Sequence, residues 1–95
     1  PFTIKRVFYI YNLSDKKRGG HKHKKTYQAL ICVHGACTVF VKKGERESEY
    51  VLDAPDKCLL LDPPDWHEMY DFRDGPVLMV FASEYYDKED YIYQY

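Results

Sequence analysis

Cysteine is scarce in this chain of 95 residues and poorly spaced for chemistry: Cys32, Cys37 and Cys58 are odd in number and form no Cys-x-x-Cys step. That excludes a disulfide framework and a zinc-thiolate site, and leaves three reduced thiols in or near a core. Long apolar runs are also missing. No stretch approaches the ~20 residues of a membrane span and no signal peptide opens the chain, so the expectation is a cytoplasmic protein without a membrane partner. The first residue is Pro1, not Met, which leaves room for a segment before it. Charge of one sign is not in excess either. A formal net charge of −1 gives no general attraction for nucleic acid.

What is present is apolar and aromatic. Hydrophobic residues make up 45% of the chain and ten residues are Tyr, a composition that argues for a packed globule and against disorder. The length fits a single domain over residues 1–95. Against the even overall charge, Lys16, Lys17, Arg18, Lys22, Lys24 and Lys25 form a local basic cluster, either a seat for a phosphate-bearing ligand or a solvated loop.

The pattern along the chain is all-β. Short apolar or alternating runs predict strands at Ile4 to Tyr11, Lys24 to His34, Ala36 to Lys42, Ser48 to Leu52, Lys57 to Leu61, Trp66 to Phe72 and Pro76 to Ser83. Turn residues separate them at Asn12 to Gly20, Gly35, Lys43-Gly44, Ala54 to Asp56, Pro63 to Asp65 and Arg73 to Gly75. The acidic, Tyr-rich tail from Tyr85 to Tyr95 either turns helical or lies extended across a neighbour. Many short strands at close spacing predict a sandwich or barrel.

The run Arg18-Gly19-Gly20-His21-Lys22-His23-Lys24-Lys25 carries the chemistry. On an extended segment, side chains at i and i+2 leave the same face, so His21 and His23 enter one space. Each imidazole can exchange a proton near neutrality and each can ligate a metal. His34, beside the Gly35 turn, is expected at the surface.

His21-x-His23, followed by Gln28 and then Gly35, resembles the first cupin motif, and Pro63-Pro64-Asp65-Trp66-His67 resembles the second. The resemblance implies a small cupin jelly-roll barrel. In metal cupins the two His, a Glu and the later His hold iron, manganese or a related ion. Here the neutral Gln28 stands where the Glu is usual, which removes an anionic ligand and favours a site with no metal.

More specifically, Pro1 to Tyr11, then Arg18-Gly19-Gly20-His21-Lys22-His23-Lys24, Pro63 to Glu68 and Ser83 to Ile92 resemble the sugar 3,4-ketoisomerases, cupins that act on dTDP-4-keto-6-deoxyglucose. Members of that family carry another strand or so before the position of Pro1, and an Arg is common where Tyr93 stands. The resemblance implies a homodimer, a dTDP-linked 4-keto-6-deoxy sugar as substrate, and isomerisation without a cofactor. The product expected is a dTDP-3-keto-6-deoxyhexose for deoxyamino-sugar biosynthesis. It assigns His23 as the main base moving a proton between C3 and C4, with His21 assisting at the sugar oxygens.

Other residues have two readings each. Tyr9 either donates to a sugar oxygen or packs in the core, and it is preferred over Tyr11 for the cavity. Arg18, and less strongly Lys24, pairs with the pyrophosphate or stabilises the surface. Gln28 binds a sugar hydroxyl or a strand backbone group, and Trp66 packs on the sugar or thymine or plugs the core. The resemblance also implies that His67, at a position that holds His or Arg in that family, influences the face on which C4 is reprotonated, toward the galacto product. Two other functions fit the same residues: a cupin 3,5-epimerase, and a sugar-nucleotide-binding module without catalysis.

Overall fold

The computed structural model describes residues 2–13 and 16–95. Pro1, together with Ser14 and Asp15 of the expected Asn12 to Gly20 turn, lies outside the described residues. Among the described residues the order is β1 (Arg6–Ile10), β2 (Arg18–His23), β3 (Gln28–Lys43), β4 (Arg46–Leu52), β5 (Cys58–Leu61), β6 (Trp66–Ala82), a 3₁₀ turn (Lys88–Asp90) and β7 (Tyr91–Ile92). Every pairing is antiparallel, in the order β4-β3-β6-β2-β7, with β1 added on β6 and β5 on β3. The all-β expectation holds.

Two long strands organise the molecule, and both change face partway along. In β3 the most deeply buried side chains are Gln28, Leu30 and Cys32 before Gly35, but Cys37, Val39 and Val41 after it. Side chains alternate with period 2, so this switch from even to odd positions requires one residue to be absorbed at a bulge. Irregular register between Cys32 and Thr38 marks the place. Likewise β6 buries His67 and Met69 in its first half and Leu78, Val80 and Ala82 in its second. Gly35 and the Arg73 to Gly75 segment, expected as turns that end strands, instead bend continuous strands of 16 and 17 residues. Gly35, at φ 70°, is suited to that bend.

Other boundaries also move. Arg18 to Gly20, expected in a turn, opens β2, whereas Lys24 to Tyr27, expected in a strand, does not belong to one. Gly19 and Gly20, at φ 83° and 73°, allow a bulge where a turn was read. In the tail, one 3₁₀ turn leads into β7, which pairs with β2 through Lys22 and His23.

The core is Leu30, Cys32, Cys37, Val39, Val41, Leu52, Leu61, Met69, Leu78 and Val80, with Phe8 and Ile10 packed against it. Cys32 and Cys37 are buried free thiols, and Cys58 is free and exposed. His34, as expected, is exposed, its ring 3.1 Å from the Gly75 carbonyl.

Candidate active site

The β2 bulge and the Asp62 to Asp65 turn present the histidines to one another. Gly19 lies opposite Glu68, yet His21 lies opposite His67, so the extra residue between them rotates His21 inward. Across the strand pair, the Pro63 carbonyl accepts from the His23 amide at 2.7 Å. The buried Asp65 carboxylate accepts from the Asp62 amide and from Lys43 Nζ, each at 2.9 Å, and so braces the turn that delivers His67. His67 Nδ1 donates to the Asp65 carbonyl at 3.2 Å, which leaves its Nε2 for other partners. The ring centroids then stand 4.6 Å apart for His21 and His67, 5.0 Å for His21 and His23, and 5.9 Å for His23 and His67.

A cavity of about 190 Å³ opens against two of these rings. His21, His67, Gln28 and Arg18 supply its polar wall, and Phe8, Ile10, Leu30, Met69 and Val80 its apolar one. That size fits one ring-sized group better than a whole sugar nucleotide. The apolar wall excludes water around the polar groups, which strengthens any hydrogen bond made there.

The remaining expected site residues are placed differently. His23 is 3% exposed and is not part of the cavity wall. Tyr9 is corrected to the outer face: Phe8 and Ile10 turn inward from β1, so alternation sends Tyr9 out, where it is 55% exposed. Trp66 does not line this cavity, since its neighbour His67 takes the inward direction. Trp66 is buried under Tyr95 at a ring distance of 5.3 Å, and its Nε1 donates to Glu68 at 3.0 Å. The Lys24 side chain is not at the wall either, although its backbone amide donates to Asp90.

Three residues of the site were not singled out from the sequence. Tyr91 lines the cavity with its ring 4.8 Å from His21 and 4.7 Å from His23, in the place expected for a Tyr of β1. Asp90, 3% exposed, accepts from His23 Nδ1 at 2.8 Å, from the amides of Lys24 and Lys25 at 3.1 and 2.7 Å, and from the Thr26 hydroxyl. Arg6, over the rings of Phe8 and Tyr86 at 4.7 and 5.6 Å, is not at the cavity wall, but its charge works against protonation of His23.

Burial sets the protonation of the trio. It is the largest cause lowering His21 to about 4 and His67 to about 3, with repulsion from the neighbouring rings adding to it. His23 is lowered as well, burial outweighing the opposite pull of Asp90. Burial of Asp90 opposes its charge, but hydrogen bonds from Thr26, the Lys25 amide and His23 together hold its carboxyl below the usual range. At neutral pH the site therefore presents three neutral imidazoles, each able to accept a proton, with a carboxylate behind one of them.

The cupin likeness raises the question of a metal. The ring nitrogens of His21, His23 and His67 lie within 4.8 Å of one another. The set supplies no anionic oxygen for a hard cation such as manganese: Gln28 is neutral, and the Asp90 carboxylate is already engaged by four donors.

The family described as "FdtA: WxcM-like, C-terminal" matches residues 1–95. The TDP-4-oxo-6-deoxy-alpha-D-glucose-3,4-oxoisomerase of Aneurinibacillus thermoaerophilus is 48% identical over 96 residues, covering 100% of this chain and 69% of that protein. A mutant of the 3,4-ketoisomerase QdtA from Thermoanaerobacterium thermosaccharolyticum, solved with TDP-4-keto-6-deoxyglucose, superposes with a TM-score of 0.95 at 46% identity, over 100% of this chain and 70% of that one. A dTDP-4-dehydrorhamnose 3,5-epimerase from Bacillus anthracis, at 18% identity and a TM-score of 0.81, shares the fold.

Proposed function

The chain belongs to the WxcM-like, C-terminal FdtA family of cupin 3,4-ketoisomerases, and from that premise we propose that it isomerises dTDP-4-keto-6-deoxyglucose to the 3-keto sugar. The observation that carries this reading is the pair His21 and His67, neutral and facing one cavity that Gln28 and Arg18 also line.

The reaction needs two proton movements. A ketone at C4 acidifies the hydrogen on C3, and a base that removes it leaves an enediolate. The C3 hydroxyl proton passes to the oxygen on C4, and the first proton, or one from solvent, is delivered to C4, so that the ketone now stands at C3. No atom is gained or lost. General acid–base groups suffice for each step, and such catalysis contributes about 100- to 10,000-fold.

His21 is the group we assign to the carbon-bound proton. This reverses the order expected for the two β2 histidines, because His21 reaches the cavity and His23 does not. The Tyr91 hydroxyl and Gln28 amide are suited to donate to the developing oxyanion, and Arg18 at the cavity wall to pair with the pyrophosphate. We place His67, at the cavity wall beside His21, as the group that influences the face on which C4 is reprotonated, toward the galacto product. Chelator-treated protein incubated with dTDP-4-keto-6-deoxyglucose is expected to give a 3-keto product with galacto couplings at C4 by NMR. A ketone that stays at C4 contradicts the assignment, and gluco couplings contradict the role given to His67.

A further inference from the structure

The 3₁₀ turn before β7 places one carboxylate deep in the site without touching the cavity. Asp90 opens no route to substrate, since it is 3% exposed and its oxygens are occupied by His23, two backbone amides and Thr26. A carboxylate can only accept, so the 2.8 Å contact requires the proton to sit on His23 Nδ1. The other nitrogen of that ring, Nε2, is buried and has no hydrogen-bond partner among the described residues. A buried polar atom without a partner is unusual and points to one supplied later.

We propose that Asp90 is a positioning residue for the isomerase reaction: it fixes His23 as the Nδ1–H tautomer, so that Nε2 is held as a bare acceptor beside His21 and His67. The inference rests on the proposed function only in its kinetic part. A neutral imidazole with its lone pair toward His21 can receive, through His21, the proton that travels between the sugar oxygens, and return it. The imidazolium formed meanwhile is balanced by the carboxylate at its back, so Asp90 itself neither gains nor loses a proton.

Thr26 and the two amides make this arrangement stiff. They occupy Asp90 from the chain just after His23, while His23 is anchored by its amide on Pro63. Three segments distant in sequence thus converge on the orientation of one ring, which is the support a pre-aligned proton acceptor requires.

The substitution Asp90→Asn tests the proposal, because its amide can donate to Nδ1 and drive the proton to Nε2. Long-range ¹⁵N–¹H spectra of the labelled protein report the tautomer, and turnover of dTDP-4-keto-6-deoxyglucose reports the effect. The wild type is expected as Nδ1–H and the folded variant as Nε2–H, with kcat lowered about 100- to 10,000-fold and KM within about threefold. A wild-type His23 in the Nε2–H form overturns the proposal, as does a folded variant whose kcat stays within threefold. If the variant does not fold, the wild-type spectrum decides. If the wild type does not turn over this sugar, the functional reading fails, while the tautomer spectra still confirm or overturn the pairing.

Discussion

His21 and His67 are neutral bases because the barrel has taken water from them, and this has consequences for pH. Both folded values, about 4 and about 3, lie below the ordinary 6.5. The unfolded chain therefore binds more protons than the folded one as pH falls through this window, so stability declines from about pH 6.5 downward. Asp90 acts in the same direction at the acid end, since its depressed carboxyl loses its favourable contacts on protonation. Thermal unfolding scans should show a Tm that is level above about pH 7 and falls steadily below about 6.5. Replacing His67 with Gln should flatten that fall, and an unchanged slope would contradict the burial account. For catalysis, His21→Ala should lower kcat by about 100-fold or more with the fold intact, as read by circular dichroism and product NMR. A His21→Ala protein with full turnover would return the main role to His23.

Among the elements, β3 and β6 decide where the site forms, through the bulges at which they change face. A Cβ on Gly35 would stand 2.6 Å from the Arg73 carbonyl oxygen and 2.9 Å from that of Asp74, at a φ of 70°. Both contacts are with backbone, which has little freedom to retreat. Gly35→Ala should therefore destabilise by about 1–3 kcal/mol, lowering Tm by roughly 4 °C or more. A calorimetric Tm equal to wild type would show that the bend tolerates a side chain. The same elements show what the sequence discloses. Alternation put His21 and His23 on one face, and the proline turn marked His67, because both signals are local. Alternation alone does not say which face of β1 turns inward, and the Tyr9 assignment failed there while Phe8 and Ile10 took the cavity side. Gly35 and Gly75 read as strand ends because a glycine at positive φ serves a turn and a bulge equally well. Asp90 left no local signal at all, since its partner His23 is 67 residues away in the chain.

For the molecule as a whole, one outer face remains apolar. Phe2, Ile4, Ala29, Ile31, Cys58, Leu60 and Phe81 border a groove of about 200 Å³, and Ile4 and Leu60 are 52% and 53% exposed. Contiguous apolar surface of this kind is favourable to cover, and a second copy of the chain is the occupant we propose. Sedimentation at micromolar concentration should give a dimer, and a stable monomer would contradict it. No helix among the described residues is long and apolar enough to cross a membrane. The central claim concerns the fate of one proton, and turnover of dTDP-4-keto-6-deoxyglucose in deuterated buffer, followed by NMR of the sugar ring, tests it most directly. The account predicts that the ketone appears at C3, that C4 carries either the hydrogen taken from C3 or deuterium from solvent, and that the hydrogen on C5 is untouched. Deuterium at C5 with the ketone still at C4 would mark an epimerase, and retained binding with the ketone unmoved and no exchange at C3 would mark a site that holds the sugar and leaves it unchanged.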